Sequence, residues 1–302
     1  MTMTDIRSKL QDEHIICIPD APMAEYTTFQ AGGPADLLIA PASEQQLCFA
    51  IRLLRQSGTP FVVLGNGSNV LFTDKGFRGA VVYIGRVFSA ITVEGGLVRA
   101  QAGARLSTAV TTALSHGLVG MEFAAGIPGS VGGGLFMNAG AYGGELCQVV
   151  KEARILDEQG DIRTIPVSAM ELGYRSSIFM HKNWVILEVT FALEQGDVDA
   201  SRAAIRELAA RRRDKQPLEF PSAGSTFKRP KGYFAGALIE NAGLKGFSVG
   251  GAQVSEKHSG FVINRGGATA GDIITLIHEV QRIVLEKDGV QLETEVRILG
   301  EA

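Results

Sequence analysis

Apolar positions in the first third of the chain come in short runs separated by polar turns. ADLLIAP (35–41) and FVVLG (61–65) have the length and continuity of buried strands, and the residues from Glu44 to Gln56 between them repeat their apolar positions at helical spacing. GAVVYIG (79–85) predicts a further strand after the loop GNGSN (65–69). The opening therefore reads as β-α-β with a glycine loop at the carboxyl end of its second strand, where open α/β sheets place ligands. LVRAQAGA (97–104) predicts a strand, and Leu106 to His116 a helix leading to Gly117. KEARILDEQGDIRTI (151–165) predicts a hairpin turning at Glu158-Gln159-Gly160, and WVILEVTFAL (184–193) a fully buried strand.

The pattern changes near residue 195. DVDASRAAIRELAARRRDKQP predicts a helix that starts near Asp197 or Asp199 and must end before Pro217. Thr269-Ala270-Gly271-Asp272 is a capping-box-like start. Ile273, Ile274, Ile277, Val280 and Val284 continue that helix on one face until Gly289 stops it. LETEVRIL (292–299) predicts a final strand. A domain boundary is expected between about 195 and 205.

Composition narrows the class. The chain has 302 residues, 45% hydrophobic and 20% charged, enough for two or three cores. A net charge of −3 gives no electrostatic footprint for nucleic acid. Cys17, Cys48 and Cys147 are odd in number and lack metal-ligand spacing, so neither a disulfide framework nor a structural metal site is expected. With no apolar leader and no run of about 18 apolar residues, the sequence reads as a reduced, cytoplasmic protein without a membrane segment.

The densest chemical signal is AAGIPGSVGGGLFMNAGAYGGE (124–145). Linker sequence is polar throughout, whereas this stretch carries Ile127, Val131, Leu135, Phe136 and Met137 and must be packed. Glycine inside a packed segment marks positive φ or close approach of another group. No Gly-Lys dipeptide occurs, which excludes the P-loop, and GxGxxG fails because Val70 and Met137 stand where the third glycine belongs. Two loops remain, GNGSN and AGIPGSVGG (125–133), dense in backbone N–H groups able to nest a pyrophosphate, with Ser68, Asn69 and Ser130 as added donors. Two tight turns with glycine needed only for φ would give the same composition.

TTFQAGGPAD, LGNGSNVL, EFAAGIPGSVGGGLFMNAGAYGGE, YRSSIF, AGSTFKRP, IENAGLKGFSVGGAQVSEKHSGFVINRG and LETEVRILG occur in this order between residues 27 and 300. Together they resemble the UDP-N-acetylenolpyruvoylglucosamine reductase family, flavoproteins that complete UDP-N-acetylmuramate in bacterial peptidoglycan synthesis, and so serve cell wall biogenesis, cell shape and cell division. The resemblance implies an α+β protein. An FAD-binding region of the vanillyl-alcohol-oxidase (PCMH) type would span 1–198, in subdomains of about 20–83 and 84–198. An α+β substrate-binding domain would span 199–302, its last strand returning toward the flavin. FAD would lie against Gly65, Asn66, Gly67, Ser68 and Asn69, and against Gly126, Ile127, Pro128, Gly129, Ser130, Gly132, Gly133, Asn138 and Gly140. GNGSN holds neither His nor Cys, so the flavin would be non-covalent. The protein would be a monomer acting on small molecules, a UDP-sugar nucleotide and NADPH. The chain lacks room after YRSSIF for the tyrosine-bearing loop of some members and so resembles their shorter subclass.

The reaction so implied reduces FAD with NADPH and then passes hydride to C3 of the enolpyruvyl double bond. Charge left at C2 needs a cation on the carboxylate, a proton donor and stabilisation of the enolate-like species. The resemblance assigns Arg175 of YRSSIF to the carboxylate, which its planar fork suits. It assigns Ser225 of AGSTFKRP as the donor to C2, and Glu295 as the polarising acid. Glu293 and Glu295 share a strand face, so spacing alone does not separate them. The basic run Arg211, Arg212, Arg213 and Lys215 suits a helix C-terminus, yet a diphosphate also needs cations. Lys215, Arg212, Arg229, Lys245 and Tyr174 are therefore candidate substrate contacts. No metal is implied.

Three rivals come from other classes. GFSVG (246–250) matches the serine-hydrolase elbow around Ser248, with Asp272 and His278 following in order. That motif requires a strand before the serine and a helix after it, whereas GALIENAGLKG predicts a helix ending at Gly243 or Gly246, and VGGAQVS is not helical. A flavin-binding module without catalysis would keep the glycine loops but need no Arg175, Ser225 and Glu295 together. Another flavin-dependent oxidoreductase on the same fold is the third.

Overall fold

Helix starts and stops follow local chemistry. The structure, a computed structural model, describes residues 1–85 and 87–301, so Ala302, the last residue of the expected substrate-binding region, lies outside the described residues. The chain begins α1 (Met3–Asp12), β1 (Ile16–Pro22), β2 (Pro34–Ala40), α2 (Glu44–Ser57), β3 (Phe61–Leu64), β4 (Val70–Phe72), β5 (Phe77–Tyr83), β6 (Ile91–Glu94), β7 (Leu97–Gln101) and α3 (Leu106–Ser115). It continues through β8 (Leu118–Val119), α4 (Val131–Phe136), β9 (Gly140–Ala141), β10 (Gly144–Glu145), β11 (Val150–Leu156), β12 (Ile162–Pro166), β13 (Val185–Ala192) and β14 (Glu194–Gln195). It ends with α5 (Val198–Lys215), α6 (Ala235–Asn241), β15 (Ser248–Val249), β16 (Ala252–Val254), β17 (Val262–Asn264), α7 (Ala270–Asp288) and β18 (Arg297–Leu299). The fold is α+β.

Two compact units share the chain: residues 1–18, 37–66 and 80–211 form the first, and residues 19–36, 67–79 and 212–302 the second. In the first, a five-stranded antiparallel sheet has the order β12-β11-β13-β7-β6. Its middle strand β13 is buried at six of its eight positions, as an unbroken apolar run requires. In a second sheet of order β1-β2-β5-β3, β3 pairs in parallel with β5. Ser43 caps α2 by accepting from the Gln46 N–H, and Gly58 ends it in the left-handed region at φ 66°. Leu47, Ala50, Ile51 and Leu54 on its inner face are fully buried.

The second unit packs α6 and α7 with the small antiparallel sheet β15-β16-β17 around Phe29, Leu71, Ile239, Val254, Leu276 and Val280. The capping box at the start of α7 is complete. Thr269 accepts from the Asp272 N–H at 3.0 Å, and Asp272 accepts from the Thr269 N–H at 3.0 Å. Each buried aliphatic side chain on its inner face, such as Ile273 or Val284, contributes about 1.5–3 kcal/mol relative to exposure.

Three expectations need correction. The predicted last strand over 292–299 pairs only at Arg297–Leu299, in parallel with β4. Upstream of it the chain turns to another partner, with Thr294 in an isolated bridge to Phe227. The strand predicted over 97–104 ends at Gln101, because the Ala104 N–H turns back to the Gln101 carbonyl. Helix α6 stops at Asn241, two residues short of Gly243, which follows in the left-handed region at φ 78°. Helix α1, which the apolar pattern does not signal, starts from a capping box of Thr2 and Asp5.

The glycine segment sits against β7. The Val131 and Gly132 N–H groups donate to the carbonyls of Ala104 and Ala102, at 2.7 and 2.9 Å. A Cβ at Gly132 would stand 2.7 Å from the Ala102 Cβ. Gly132→Ala must therefore push two backbones apart, an overpacking cost of about 1–3 kcal/mol. Thermal unfolding should show a Tm lower by several degrees; an unchanged Tm would mean these backbones separate freely. The Asp272 carboxyl is held below the usual aspartate range by hydrogen bonds from the Thr269 and Gly251 N–H groups. Its stabilisation is thus present above the ordinary aspartate pKa and lost as pH falls below it. Asp272→Ala should cost about 1 kcal/mol at neutral pH. Unfolding curves of the two proteins should converge as pH drops below about 4.

Candidate active site

Both glycine loops meet in the first unit through Gly65 and Ser130. A Cβ on Gly65 would lie 2.2 Å from the Ser130 hydroxyl oxygen. That hydroxyl is buried and caps α4 by accepting from the Gly133 N–H at 3.2 Å. Moving it aside would therefore release the helix cap. In the second unit Gly67, at φ 61°, lies against the chain of Tyr26 and Thr27; a Cβ there would stand 2.0 Å from the Tyr26 carbonyl oxygen. The Thr28 N–H donates to the Gly67 carbonyl at 3.1 Å.

The structure divides the glycine-rich segment into two kinds of position. Val131, Gly132 and Gly133 have their N–H groups engaged within the protein, so these three do not form an anion nest. Gly132 and Gly134 serve close packing, the latter against Leu106 and Leu146. Gly126, Pro128 and Gly133 are exposed, Ile127 is half-buried, and Gly129 is buried. Asn66, Ser68, Asn69 and Gly140 are half-buried. Next to Gly67, the buried Thr27 hydroxyl has no hydrogen-bond partner among the described residues. Within the first unit, bare peptide surface on the exposed glycines with apolar flanks fits a large, flat group such as FAD.

Arg175 lies in a two-residue turn closed by reciprocal backbone hydrogen bonds between Gly173 and Ser176. Its backbone is left-handed at φ 50°, where glycine is usual. The half-buried guanidinium lies 5.1 Å from the exposed Tyr174 ring, and its Nη2 donates to the Gly140 carbonyl at 3.1 Å. Two further bonds tie this turn to the glycine segment. The Asn138 Nδ2 donates to the Gly173 carbonyl at 3.0 Å, and the buried Ser177 hydroxyl donates to the Phe136 carbonyl at 2.6 Å.

Ser225 and Glu295 come together in the second unit. The Lys228 N–H donates to the Glu293 carbonyl and the Glu295 N–H to the Thr226 carbonyl, each at 2.8 Å. Thr226 is fully buried; its N–H donates to the Gly260 carbonyl and its hydroxyl oxygen accepts from the Val262 N–H. Ser225 is thus an exposed residue standing on a fixed backbone. The Asn69 Nδ2 donates to the Glu295 carbonyl at 3.1 Å, and the Arg297 N–H donates to the Asn69 carbonyl at 3.1 Å. The glycine-loop residue Asn69 therefore holds the Glu295 segment, a pairing over a long sequence separation that no local pattern signals. The structure also separates the two glutamates: Glu293 is exposed in an ion pair with Lys228, while Glu295 is half-buried.

Among the substrate-contact candidates, Lys245 is paired with Glu240 at 2.6 Å, and Arg229 stacks 3.9 Å from the Phe234 ring centroid. Lys215, the last residue of α5, is exposed, and Arg212 is half-buried. The hydrolase constellation does not assemble. Ser248 lies in the short strand β15, its hydroxyl donating to the Gly246 carbonyl, with no helix following it. Asp272 is committed to capping α7, and His278 is exposed on that helix. Among the described residues no cluster of His, Cys, Asp or Glu could hold a metal ion, and no helix is long and apolar enough to cross a membrane.

Comparison with known proteins identifies the family. Residues 35–166 match a family model for an FAD binding domain. Residues 216–299 match one for the C-terminal domain of UDP-N-acetylenolpyruvoylglucosamine reductase. The chain is 53% identical over 281 residues to a UDP-N-acetylenolpyruvoylglucosamine reductase of Clostridium perfringens (strain SM101 / Type A), covering 93% of this chain and 92% of that protein. It is 52% identical over 282 residues to one from Clostridium botulinum (strain Hall), with the same coverage of 93% and 92%. The crystal structure of UDP-N-acetylenolpyruvylglucosamine reductase from Thermus caldophilus superposes with a TM-score of 0.80 at 30% identity, covering 94% of this chain and 98% of that one. Matched by these relatives over nearly their full length, the chain belongs to the UDP-N-acetylenolpyruvoylglucosamine reductase family.

Proposed function

We propose that the chain reduces the enolpyruvyl ether of UDP-N-acetylglucosamine to UDP-N-acetylmuramate, with NADPH as reductant and FAD held non-covalently. On this reading it acts as a cytoplasmic monomer in peptidoglycan precursor synthesis. The observation that supports it is the pairing of 226–228 with 293–295, in which Glu295 bonds to Thr226, the residue after Ser225. Gly65, Asn66, Gly67, Ser68 and the exposed part of 126–133 would hold the cofactor. Bound FAD would supply hydride transfer from NADPH to C3 of the enolpyruvyl group.

The chain's own residues manage charge and proton. As C3 gains hydrogen, negative charge grows at C2 and spreads into the adjoining carboxylate. The Arg175 guanidinium, always protonated, binds that carboxylate through its fork and keeps positive charge where the anion develops. The Ser225 hydroxyl, an exposed weak acid on a fixed backbone, donates its proton to C2 once that carbon has become strongly basic. On this reading Glu295 would be the acid that polarises the carboxylate system. Lys215 and Arg212 are the cations offered to the diphosphate, and Tyr174 is an exposed apolar contact beside Arg175. Lys245 and Arg229, already paired and stacked, are the weaker contacts.

Stopped-flow absorbance separates the two half-reactions. Ser225→Ala should leave flavin bleaching by NADPH within about twofold, while reoxidation by the enolpyruvyl substrate slows by about 10²-fold or more. Equal loss in both halves would sink the proton-donor role. Arg175→Lys keeps the charge but replaces a fork by a point, and reoxidation should slow by roughly 10–100-fold. Wild-type-like reoxidation in that variant would refute bidentate carboxylate binding.

A further inference from the structure

We infer that Asn138 is the positioning residue for Arg175, a role that rests on the proposed carboxylate-binding function of Arg175. The resemblance places Asn138 against the cofactor, yet both amide hydrogens of its side chain are spent within the protein. The residue is fully buried. Its Nδ2 donates to the Gly173 carbonyl at 3.0 Å and to the Glu145 Oε2 at 3.1 Å, and its Oδ1 accepts from the Cys147 N–H at 2.9 Å. The partners fix which end of the amide is which: a carbonyl and a carboxylate only accept, and a backbone N–H only donates. Both donor hydrogens are thereby used.

These bonds end at the Arg175 turn. Gly173 opens the two-residue loop whose second member is Arg175, so Asn138 grips that loop at its closing pair. Two residues further along the same segment, the Gly140 carbonyl accepts from the Arg175 Nη2. One short stretch, 138–140, thus fixes both the backbone and the guanidinium of Arg175. Asn138 is itself left-handed at φ 42°, a conformation asparagine tolerates better than most residues. That geometry keeps its amide turned toward Gly173 while the chain continues into the β9–β10 hairpin.

The test is Asn138→Gly, since glycine accepts the left-handed backbone and removes only the amide. Asn138→Asp fills the same volume and serves the same comparison if the glycine variant does not fold. The variant should keep FAD, judged by the visible spectrum and by flavin stoichiometry after denaturation. Its reduction by NADPH should stay within about threefold. Reoxidation by the enolpyruvyl substrate should slow by roughly 10–100-fold, as expected when a reacting group is misplaced by about an ångström. Combined with Arg175→Lys, Asn138→Gly should slow reoxidation by less than about threefold beyond Arg175→Lys alone, because the two share one interaction. Loss of flavin, or equal damage to both half-reactions, would overturn the inference, as would full additivity with Arg175→Lys. A slow Arg175→Lys beside an unaffected Asn138→Gly would overturn the brace alone. An unaffected Arg175→Lys would overturn the role of Arg175 itself.

Discussion

The glycine loops of the candidate site depend on backbone approaching its neighbours more closely than a side chain allows. Gly65 reaches Ser130 and Gly132 reaches Ala102 at separations where a Cβ would come within 2.2 and 2.7 Å of its neighbour. The first contact joins the two glycine loops. The second lets the Val131 and Gly132 N–H groups reach the carbonyls beyond β7, which fixes the start of α4. From that anchored helix the chain runs directly into Asn138 and Gly140, the residues that hold Arg175. A methyl group at Gly132 would thus strain more than a ligand surface: it would loosen the platform from which the Arg175 turn is hung.

Side-chain amides then do what glycine cannot. Asn69 and Asn138 sit in or beside the glycine-rich loops, and each directs its Nδ2 at a backbone carbonyl of a segment far away in sequence, Glu295 in one case and Gly173 in the other. In both, the carbonyl belongs to a candidate catalytic residue or to the turn that carries one. Thr226 plays the corresponding part for Ser225, with its N–H, carbonyl and hydroxyl all bonded within the second unit. Candidate groups on backbones fixed by hydrogen bonds suit transition-state stabilisation, because fixed groups need no reorganisation as charge develops.

Legibility in the sequence followed the range of the interaction that decided each feature. Helix α2 was readable from its apolar spacing and α7 from the Thr269–Asp272 box and Gly289, signals that act within a few residues. Strand β13 and the hairpin at Glu158 to Gly160 were readable from an apolar run and a turn. The last strand was misread because an alternating pattern predicts extended chain but not its partner: 293–295 bonds to 226–228, and 297–299 to β4. The glycine segment was read as packed, with Gly132 and Gly133 against the cofactor, whereas the N–H groups of both are engaged within the protein. Whether a glycine faces a ligand or Ala102 is decided by a neighbour some thirty positions away, which composition does not carry. Roles for Asn69 and Asn138 as braces were invisible for the same reason.

The left-handed backbone of Arg175 follows from competing demands. The turn has only two residues between Gly173 and Ser176, and its second position is left-handed, where glycine would fit without strain. Glycine has no guanidinium, so the conformational cost, on the order of 1 kcal/mol, must be met by local bonds. The structure supplies them: the reciprocal Gly173–Ser176 pair, the Asn138 amide on Gly173, the Ser177 hydroxyl on Phe136, and the Arg175 Nη2 on Gly140. The β9–β10 hairpin nearby solves a similar problem differently. Its two loop residues, Tyr142 and Gly143, are both left-handed, as the tightest hairpin turns demand, and the exposed Tyr142 ring is stacked 5.1 Å from the Arg211 guanidinium. Tyr142 has one stacking partner on the surface, whereas Arg175 has a set of buried backbone bonds. A strained residue so thoroughly held is one whose position matters more than its conformational ease.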